Sequence, residues 1–553
     1  MTAAAETRAA RPPRRHGGPG AGSRPLAGTG ALLRLALRRD RIMLPVWVLV
    51  VSGMVVSGVG SLQALYDTQA ERARLAASMA ANGSLRSLYG PVFGDSTGAL
   101  VAWRFGTFAA VLAAVMSLIV VVRHTREEEE SGRQELLSSA MVGRRAPLTA
   151  ALLTAGLANA AVAVLIAAGL SGLGAAGALA LGLAVGGTGV LFATAAAIVA
   201  QLTESARLAK GATAAVLGIA FVLRAAGDAG TAGDPARGGL GGGSSLLTWL
   251  SPVGWAENVR AYADERWWVL LLMLAAAGAQ GAAAYALAGR RDVGMGFLAT
   301  RPGPAEGRIT TAGGLAWRLQ RATWAGWAAG FLLAGTVFGG MADGAADLVG
   351  DNEQAKQIFE RMGGQTALTD AFLAAMVGMF GLVAALYAVG AVLRMHGEET
   401  SQRAEPVLAN AVGRTSWAAG HLAVAFGGTV LVMLFAGAGL ALGHGGDLLA
   451  IAGAALVQVP AVWTLAGVAL LLYGAVPRAA AAGWAAAGLC LALGWVGPAL
   501  DLPPAVLNLS PFGHLPKLPG PRMDWTPVLL LTALAVALVA AGLAAFRRRD
   551  LQI

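Results

Sequence analysis

The sequence predicts an all-α, polytopic transmembrane protein with about twelve spans, arranged as two tandem six-helix repeats. Three observations predict it. The 553 residues are 56% hydrophobic and only 13% charged, about half the charged fraction of a soluble domain. Long apolar runs recur along the chain, each near the roughly 20 residues that a helix needs to cross a bilayer. Blocks of sequence in the first half return, in the same order, in the second. The 77 glycines fit close helix packing in lipid, where small residues let backbones approach. A GC-rich genome would also enrich Gly, Ala and Arg, but it would not leave long runs free of charge.

Residues 1–30, rich in Arg, Gly and Pro, are expected to form a disordered cytoplasmic tail. Segment 31–41, ALLRLALRRDR, is basic and partly amphipathic. Its Arg34, Arg38, Arg39 and Arg41 suit a lead-in helix in the membrane interface, although a plain flank of the first span would carry the same residues. The first repeat (31–292) holds spans at 42–63, 101–122, 148–172, 176–200, 209–226 and 269–289. A cytoplasmic linker (293–313) leads to the second repeat (314–553), with spans at 324–341, 370–393, 421–443, 447–474, 478–497 and 526–546. The short connections 173–175 and 444–446 leave room for merged or re-entrant segments. Segments 66–90 and 348–369 read as amphipathic hairpins or caps, and 227–268 and 498–525 as long outer loops.

An even number of spans puts both termini on one side. If that side is the cytoplasm, most of the 41 Lys and Arg lie there, as the positive-inside rule requires. Arg38, Arg39 and Arg41 precede the first span, and Arg547, Arg548 and Arg549 follow the last. The net charge of +10 then reflects anchoring to a plasma membrane rather than nucleic-acid binding. The first span is too long for a cleaved signal and reads as a retained anchor. A lone cysteine, Cys490, excludes an intrachain disulfide and a cysteine-based metal site.

The duplication is legible without any other protein. Arg38, Arg41 and Trp47 fall on Arg318, Arg321 and Trp327 in one register. EEESGRQELLSSAMVGR (128–144) aligns with EETSQRAEPVLANAVGR (398–414), with eight identities in seventeen positions, where average composition gives roughly one. LSPVG (250–254) returns as LSPFG (509–513), and Arg290-Arg291-Asp292 as Arg548-Arg549-Asp550.

The acidic block carries the strongest functional signal. Glu127–Glu130 would cost on the order of 10 kcal/mol at a bilayer centre, so the run belongs in water. Glu129 with Arg133, and Glu399 with Arg403, have the spacing of helical i,i+4 pairs. A solvated helix with acidic residues complementing its own dipole would look the same, but recurrence in both halves favours a docking surface for a cytosolic partner. The chain has no GxxxxGK[ST] loop, because none of Lys210, Lys356 and Lys517 follows a glycine, so no ATPase of its own is expected. The six histidines show no ligand spacing, and no metal is expected; His421 and His444 read as span-end residues. No carboxylate lies in the middle of a predicted span, where an ion-coupled carrier needs one. Asn159, Gln280 and Gln458 do lie within spans, as interhelical hydrogen-bond partners or contacts on a substrate path.

The EEEExGRxELLxxxxVGR block, its degenerate copy and the LSP motif before the sixth span resemble the permeases of type-2 ABC exporters. The resemblance, over residues 31–553, is to the fused twelve-span actinobacterial group of polyketide-antibiotic (tetronasin-type) exporters. It implies a transport subunit, not an enzyme, for hydrophobic small molecules, with ATP and Mg bound on a separate cytosolic ATPase present in two copies. It further implies that Glu128, Glu129, Arg133 and Glu135, with Glu398, Glu399, Arg403 and Glu405, form coupling helices seated on that ATPase. Ser251, Pro252, Ser510 and Pro511 would lie in an external gate. The second copy departs from the pattern at Gly397, Thr400 and Pro406, which predicts weaker coupling there. A secondary drug:proton antiporter and a non-transporting membrane scaffold or sensor are the alternative functions.

Overall fold

The computed structural model describes residues 25–81, 83–138, 142–231, 242–298, 307, 309–342, 368–495, 503–520 and 523–550. The expected tail up to residue 24, most of the expected cap 348–369, the middle of the 227–268 loop and much of the 293–313 linker lie outside the described residues.

The chain is helical throughout, with no strand among the described residues. Helix α1 (Thr29–Arg39) leads into α2 (Met43–Leu65), and α3 (Gln69–Ala81) and α4 (Gly83–Tyr89) make the predicted hairpin. Then follow α5 (Thr97–Arg123), α6 (Arg126–Glu130), α7 (Arg133–Ser138), α8 (Ala146–Leu170), α9 (Ala175–Leu202) and α10 (Ala206–Ala229). Two short helices, α11 (Leu246–Leu250) and α12 (Pro252–Asn258), precede α13 (Trp267–Ala288). The second half has α14 (Ala312–Gly339), α15 (Leu368–Thr400), α16 (Ala404–Leu408), α17 (Arg414–His444), α18 (Leu448–Leu456) and α19 (Val459–Ala475). It ends with α20 (Ala482–Trp495), α21 (Pro504–Leu507) and α22 (Trp525–Arg548).

Eleven of these stretches are long and apolar enough to cross a membrane. The predicted span 478–497 is the exception. Helix α20 has 14 residues, about 21 Å at 1.5 Å per residue, against a hydrocarbon core of about 30 Å, and the described residues stop at its end. The predicted span 447–474 is a broken run, α18 then α19. Pro460 explains the break, since its ring clashes with the carbonyl four residues back, at Leu456. The two short connections are true turns, made by Gly174 (φ 135°) and by Gly445 (φ 71°), which caps α17 before Asp447 caps α18. Helices α5, of 27 residues, and α15, of 33, outlast the bilayer at about 40 and 50 Å, so each carries its acidic block clear of the apolar layer.

The chain divides into two compact units. One comprises 1–57, 105–222 and 250–300; the other comprises 58–104, 223–249 and 301–553. In the first, α9 is the central helix, packed by α8, α12 and α13, while α1 lies on α8. Glycine sets the α8–α9 distance: a Cβ on Gly186 would stand 2.8 Å from the Asn159 carbonyl oxygen. Leu191, Met273 and Ala277 form the apolar seam between α9 and α13.

In the second unit, α14 runs against α17, α15 against α17 and α19, and α19 against α22. The α14–α17 contact is made by Gly335 and Gly339 facing Gly439 and Gly443, and a Cβ on Gly335 would meet the Ala436 carbonyl oxygen at 2.6 Å. Without a hydrophobic drive between helices in lipid, such close backbone approach supplies the packing energy. Gln320 on α14 bonds His421 on α17 at 3.1 Å. His421 is therefore a buried interhelical partner two turns inside α17, not the span-end residue expected from the sequence.

A buried polar knot holds the outer pieces of this unit together. Asp228 accepts from Arg224 (3.2 Å) and Thr248 (2.7 Å), while Arg224 donates to the carbonyls of Ser87 and Leu88. Arg86 reaches Thr231 at 2.9 Å. All of Arg86, Arg224 and Asp228 are fully buried, and the Arg224–Asp228 ion pair with its hydrogen bonds offsets part of the cost of burying them.

The glycine seam gives a direct test. Gly339→Leu should overpack α14 against α17 by about 1–3 kcal/mol or more, lowering the midpoint of thermal unfolding in detergent. Gly326→Leu, where an added Cβ meets nothing within 4 Å, should not.

Candidate coupling site

In the first copy the acidic block folds as two short helices, α6 and α7; in the second, Glu398 and Glu399 end α15 and the short α16 follows. After Glu130 the chain turns through Gly132 at φ 71°, and the matching turn of the second copy uses Gln402 at φ 58°. Only glycine adopts this left-handed conformation freely. The turn breaks the helical register, so the expected i,i+4 pairs Glu129–Arg133 and Glu399–Arg403 do not form. Arg133 instead stands 3.7 Å from Glu128, and Arg403 3.4 Å from Glu398. In the second copy α16 begins at Ala404, with Pro406 in its first turn.

The glutamates turn inward. Glu129 takes a two-pronged bond from Arg291, at 2.8 and 2.5 Å, and a third from Arg126 at 2.9 Å. Arg291 is fixed by Gln201 on α9 at 2.7 Å, and Arg126, wholly buried, donates to the Ala200 carbonyl at 3.0 Å. In the second unit Glu399 takes the same two-pronged bond from Arg549, at 2.7 and 2.6 Å, and accepts from Tyr473 at 2.6 Å. Arg549 stacks over the rings of Tyr473 (4.8 Å) and Phe546 (5.2 Å). Burial alone would depress this guanidinium, but Glu399 and Tyr473 hold its pKa above its ordinary range.

The last residue of each block closes the arrangement. Arg144 donates to the Arg291 carbonyl at 2.7 Å, and Arg414 to the Arg549 carbonyl at 2.8 Å. The duplicated blocks are thus one contact built twice: a glutamate and the arginine fifteen residues later both grip the basic tail of the sixth span.

The neighbouring glutamates are also engaged. Glu127 pairs with Lys210, Glu128 with Arg39, and Glu130 accepts from the Ala206 amide at 2.9 Å, capping α10. In the second copy Arg394 pairs with Glu398 at 2.6 Å. Among the predicted coupling residues, the exposed ones are Arg133, Glu135, Arg403 and Glu405, on α7 and α16 and the turns before them. Arg39 belongs to this cluster, while Arg34, Arg38 and Arg41 face outward from α1 and its end. Asp40 beside them is buried against His124 (2.6 Å) and Arg123 (3.3 Å).

The LSP motifs are helix starts. Ser251 caps α12 through the Val253 and Gly254 amides and donates to the Ala220 carbonyl at 2.6 Å, with Pro252 in the first helical position. Ser510, also buried, opens a 3₁₀ turn at Pro511 without a side-chain cap. In the loop after α12, Tyr262 (φ 62°) donates to the Leu170 carbonyl at 3.0 Å. Burial raises its phenol to about 12, with Glu265 adding to the shift. The intramembrane amides link helices: Asn159 donates to Ser117 at 2.8 Å, and Gln280 accepts from Thr194 at 2.7 Å. Gln458 lies buried against Gly381, where an added Cβ would stand 2.9 Å from its own Cβ.

Arg291 and Arg549 were visible in the sequence only as a repeated block; that recurrence was the signal for pairing them with the glutamates. Arg126, Gln201 and Tyr473 had no such signal, because the second layer around each clasp differs between copies.

Many apolar helices, with the same end clasp built in each half, define a multi-pass membrane protein. A family profile described as the C-terminal domain of multidrug efflux system permease Rv1217c matches residues 309–547. The multidrug efflux system permease protein Rv1217c of Mycobacterium tuberculosis is 44% identical over 538 residues, covering 95% of each chain. The chain belongs to this multidrug efflux permease family.

Removing one partner of a buried ion pair costs about 3–5 kcal/mol. Glu129→Ala and Glu399→Ala should each lower the thermal unfolding midpoint of the purified chain far more than Glu135→Ala. Relief of the left-handed strain should make Gln402→Gly stabilising by about 1 kcal/mol, read by the same unfolding assay.

Proposed function

We propose that this chain is the membrane-spanning permease subunit of an ATP-driven ABC exporter of the type-2 class. In this reading it exports hydrophobic small molecules, drugs or polyketide antibiotics as in the tetronasin-type group. A separate cytosolic ATPase, present twice, binds ATP and Mg and supplies the energy. The chain sits in the plasma membrane with both termini in the cytoplasm, where α1 lies along the membrane surface and the LSP turns face the outside.

One observation supports this reading above others: the acidic block is clasped in the same way to the end of the sixth span in each half. A pair of equivalent rigid connections suits a machine driven by two equivalent ATPase subunits. The predicted coupling role shifts accordingly. Glu129 and Glu399 act inside the permease, transmitting movement from the short helices to α13 and α22. Contact with the ATPase falls to the exposed side chains Arg133, Glu135, Arg403 and Glu405. Movement of α7 and α16 on ATP binding would thereby reach the spans without slack and open an apolar path outward. The sequence has no phosphate-binding GxxxxGK[ST] loop, which supports a reading with hydrolysis on a partner.

The test is reconstitution with the ATPase in proteoliposomes. Charge reversal at both Glu135 and Glu405 should lower ATP-driven efflux by about tenfold or more, the scale of a lost interfacial charge pair, with unchanged thermal stability. Full efflux from the double variant, or efflux that survives ATP depletion and collapses with the proton gradient, would overturn the proposal.

A further inference from the structure

We propose that the second unit carries a lateral binding cleft, between α14 and α15, for a flat aromatic ligand that is neutral or carries a delocalised positive charge. The cleft has a volume of about 550 Å³, within the range of small-molecule sites. Its walls are Trp327, Phe331, Phe338 and Phe380, with Gly326 and Gly330 in the floor. No acidic or basic side chain lines it, and its polar side-chain groups are the Thr323 hydroxyl and the Trp327 indole N–H.

The rings form a connected wall. Trp327 lies 5.8 Å from Phe331, Phe331 5.2 Å from Phe380, and Phe338 6.1 Å from Phe380, all tilted or edge-on. Such a wall offers ring edges and faces to a flat partner, and its faces also attract a delocalised cation. A molecule with a localised anionic group would find no compensating charge there.

The internal duplication supplies the control. In the register that lays Trp327 on Trp47, Phe331 falls on Val51 and Phe338 on Gly58. In the register of the acidic blocks, Phe380 falls on Ala110. The first repeat therefore keeps the tryptophan and lacks the other three rings, and Val51 and Ala110 are fully buried there. The floor differs in the opposite sense: Gly326 and Gly330 fall on Val46 and Val50. Large rings in the walls together with glycine in the floor give a space shaped for a ligand. Packing needs alone had the first repeat's small residues available as a solution.

The inference deepens the export reading by naming a substrate class, but binding to the cleft requires no ATP, so the two fail separately. The glycine floor allows a gentle variant. A Cβ at Gly330 or Gly326 meets nothing within 4 Å, so Gly330→Leu fills the cleft and deletes no contact. The measurement is fluorescence titration of the full-length chain in detergent with ethidium, a flat aromatic cation. Saturable binding is expected in the native chain. Its Kd should rise about tenfold or more in Gly330→Leu and in Gly326→Leu, with thermal unfolding unchanged. Gly53→Leu, on α2 and likewise in open space, should bind as the native chain does. Equal affinity in the native and Gly330→Leu chains would overturn the proposal. So would absence of saturable binding, or complete displacement of the dye by phosphatidylglycerol, which would make the cleft a seat for lipid tails.

Discussion

A carboxylate withdrawn from water at the end of a membrane helix must find a cation in good geometry, and most of the architecture around each acidic block follows from that requirement. A buried charge without a partner costs several kcal/mol, and a two-pronged guanidinium–carboxylate bond is among the few contacts strong and directional enough to offset it. Glu129 and Glu399 each meet this demand with an arginine from beyond the sixth span of their own half. The consequence is mechanical. The end of the second span, the short helix after it and the end of the sixth span become one body in each half, and Arg144 or Arg414 locks the same strand of backbone from the other side.

The two halves surround this shared contact differently. In the first, the second layer is polar: Gln201 and the carbonyls of Asp292 and Met295 accept from Arg291, while Arg126 donates to Glu129 and to the Ala200 carbonyl. In the second, Tyr473 gives a hydrogen bond to the carboxylate and, with Phe546, a π face to the arginine. Both are recognised ways to stabilise arginine, by donor saturation or by stacking. After a duplication, only the primary pair had to be kept. The surroundings were free to diverge, and the second copy tolerates Gln402 in a left-handed turn that the first gives to Gly132.

Divergence is larger inside the membrane. Small residues at helix contacts let α14 meet α17 and α8 meet α9 at backbone distance, which is how helices gain attraction in a solvent as apolar as themselves. Amides such as Asn159 and Gln280 each make an interhelical bond. The second half then departs from the first by concentrating aromatic rings between α14 and α15, and the apolar cleft there suits a permease whose relative is an efflux protein.

Much of this was legible in the chain itself. Apolar runs marked the eleven helices that are long and apolar enough to cross a membrane, because a bilayer tolerates little else, and the same blocks of sequence recur in both halves. Ser251 with Pro252, read from the sequence only within a long outer loop, starts a helix, since a hydroxyl before a proline supplies the cap that the first amides need. What the sequence left open was direction. Four consecutive glutamates must avoid the apolar core, but composition does not say whether they face a partner or turn back onto their own chain. That choice belongs to tertiary structure, because Arg291 and Arg549 lie more than a hundred residues from their carboxylates and only folding brings them within 3 Å. The left-handed turn at Gly132 and Gln402, which cancels the helical spacing, had the same origin. Residue type and periodicity determined which segments enter the membrane; the pairing of buried charges, which depends on contacts distant in sequence, decided how the acidic helices are held.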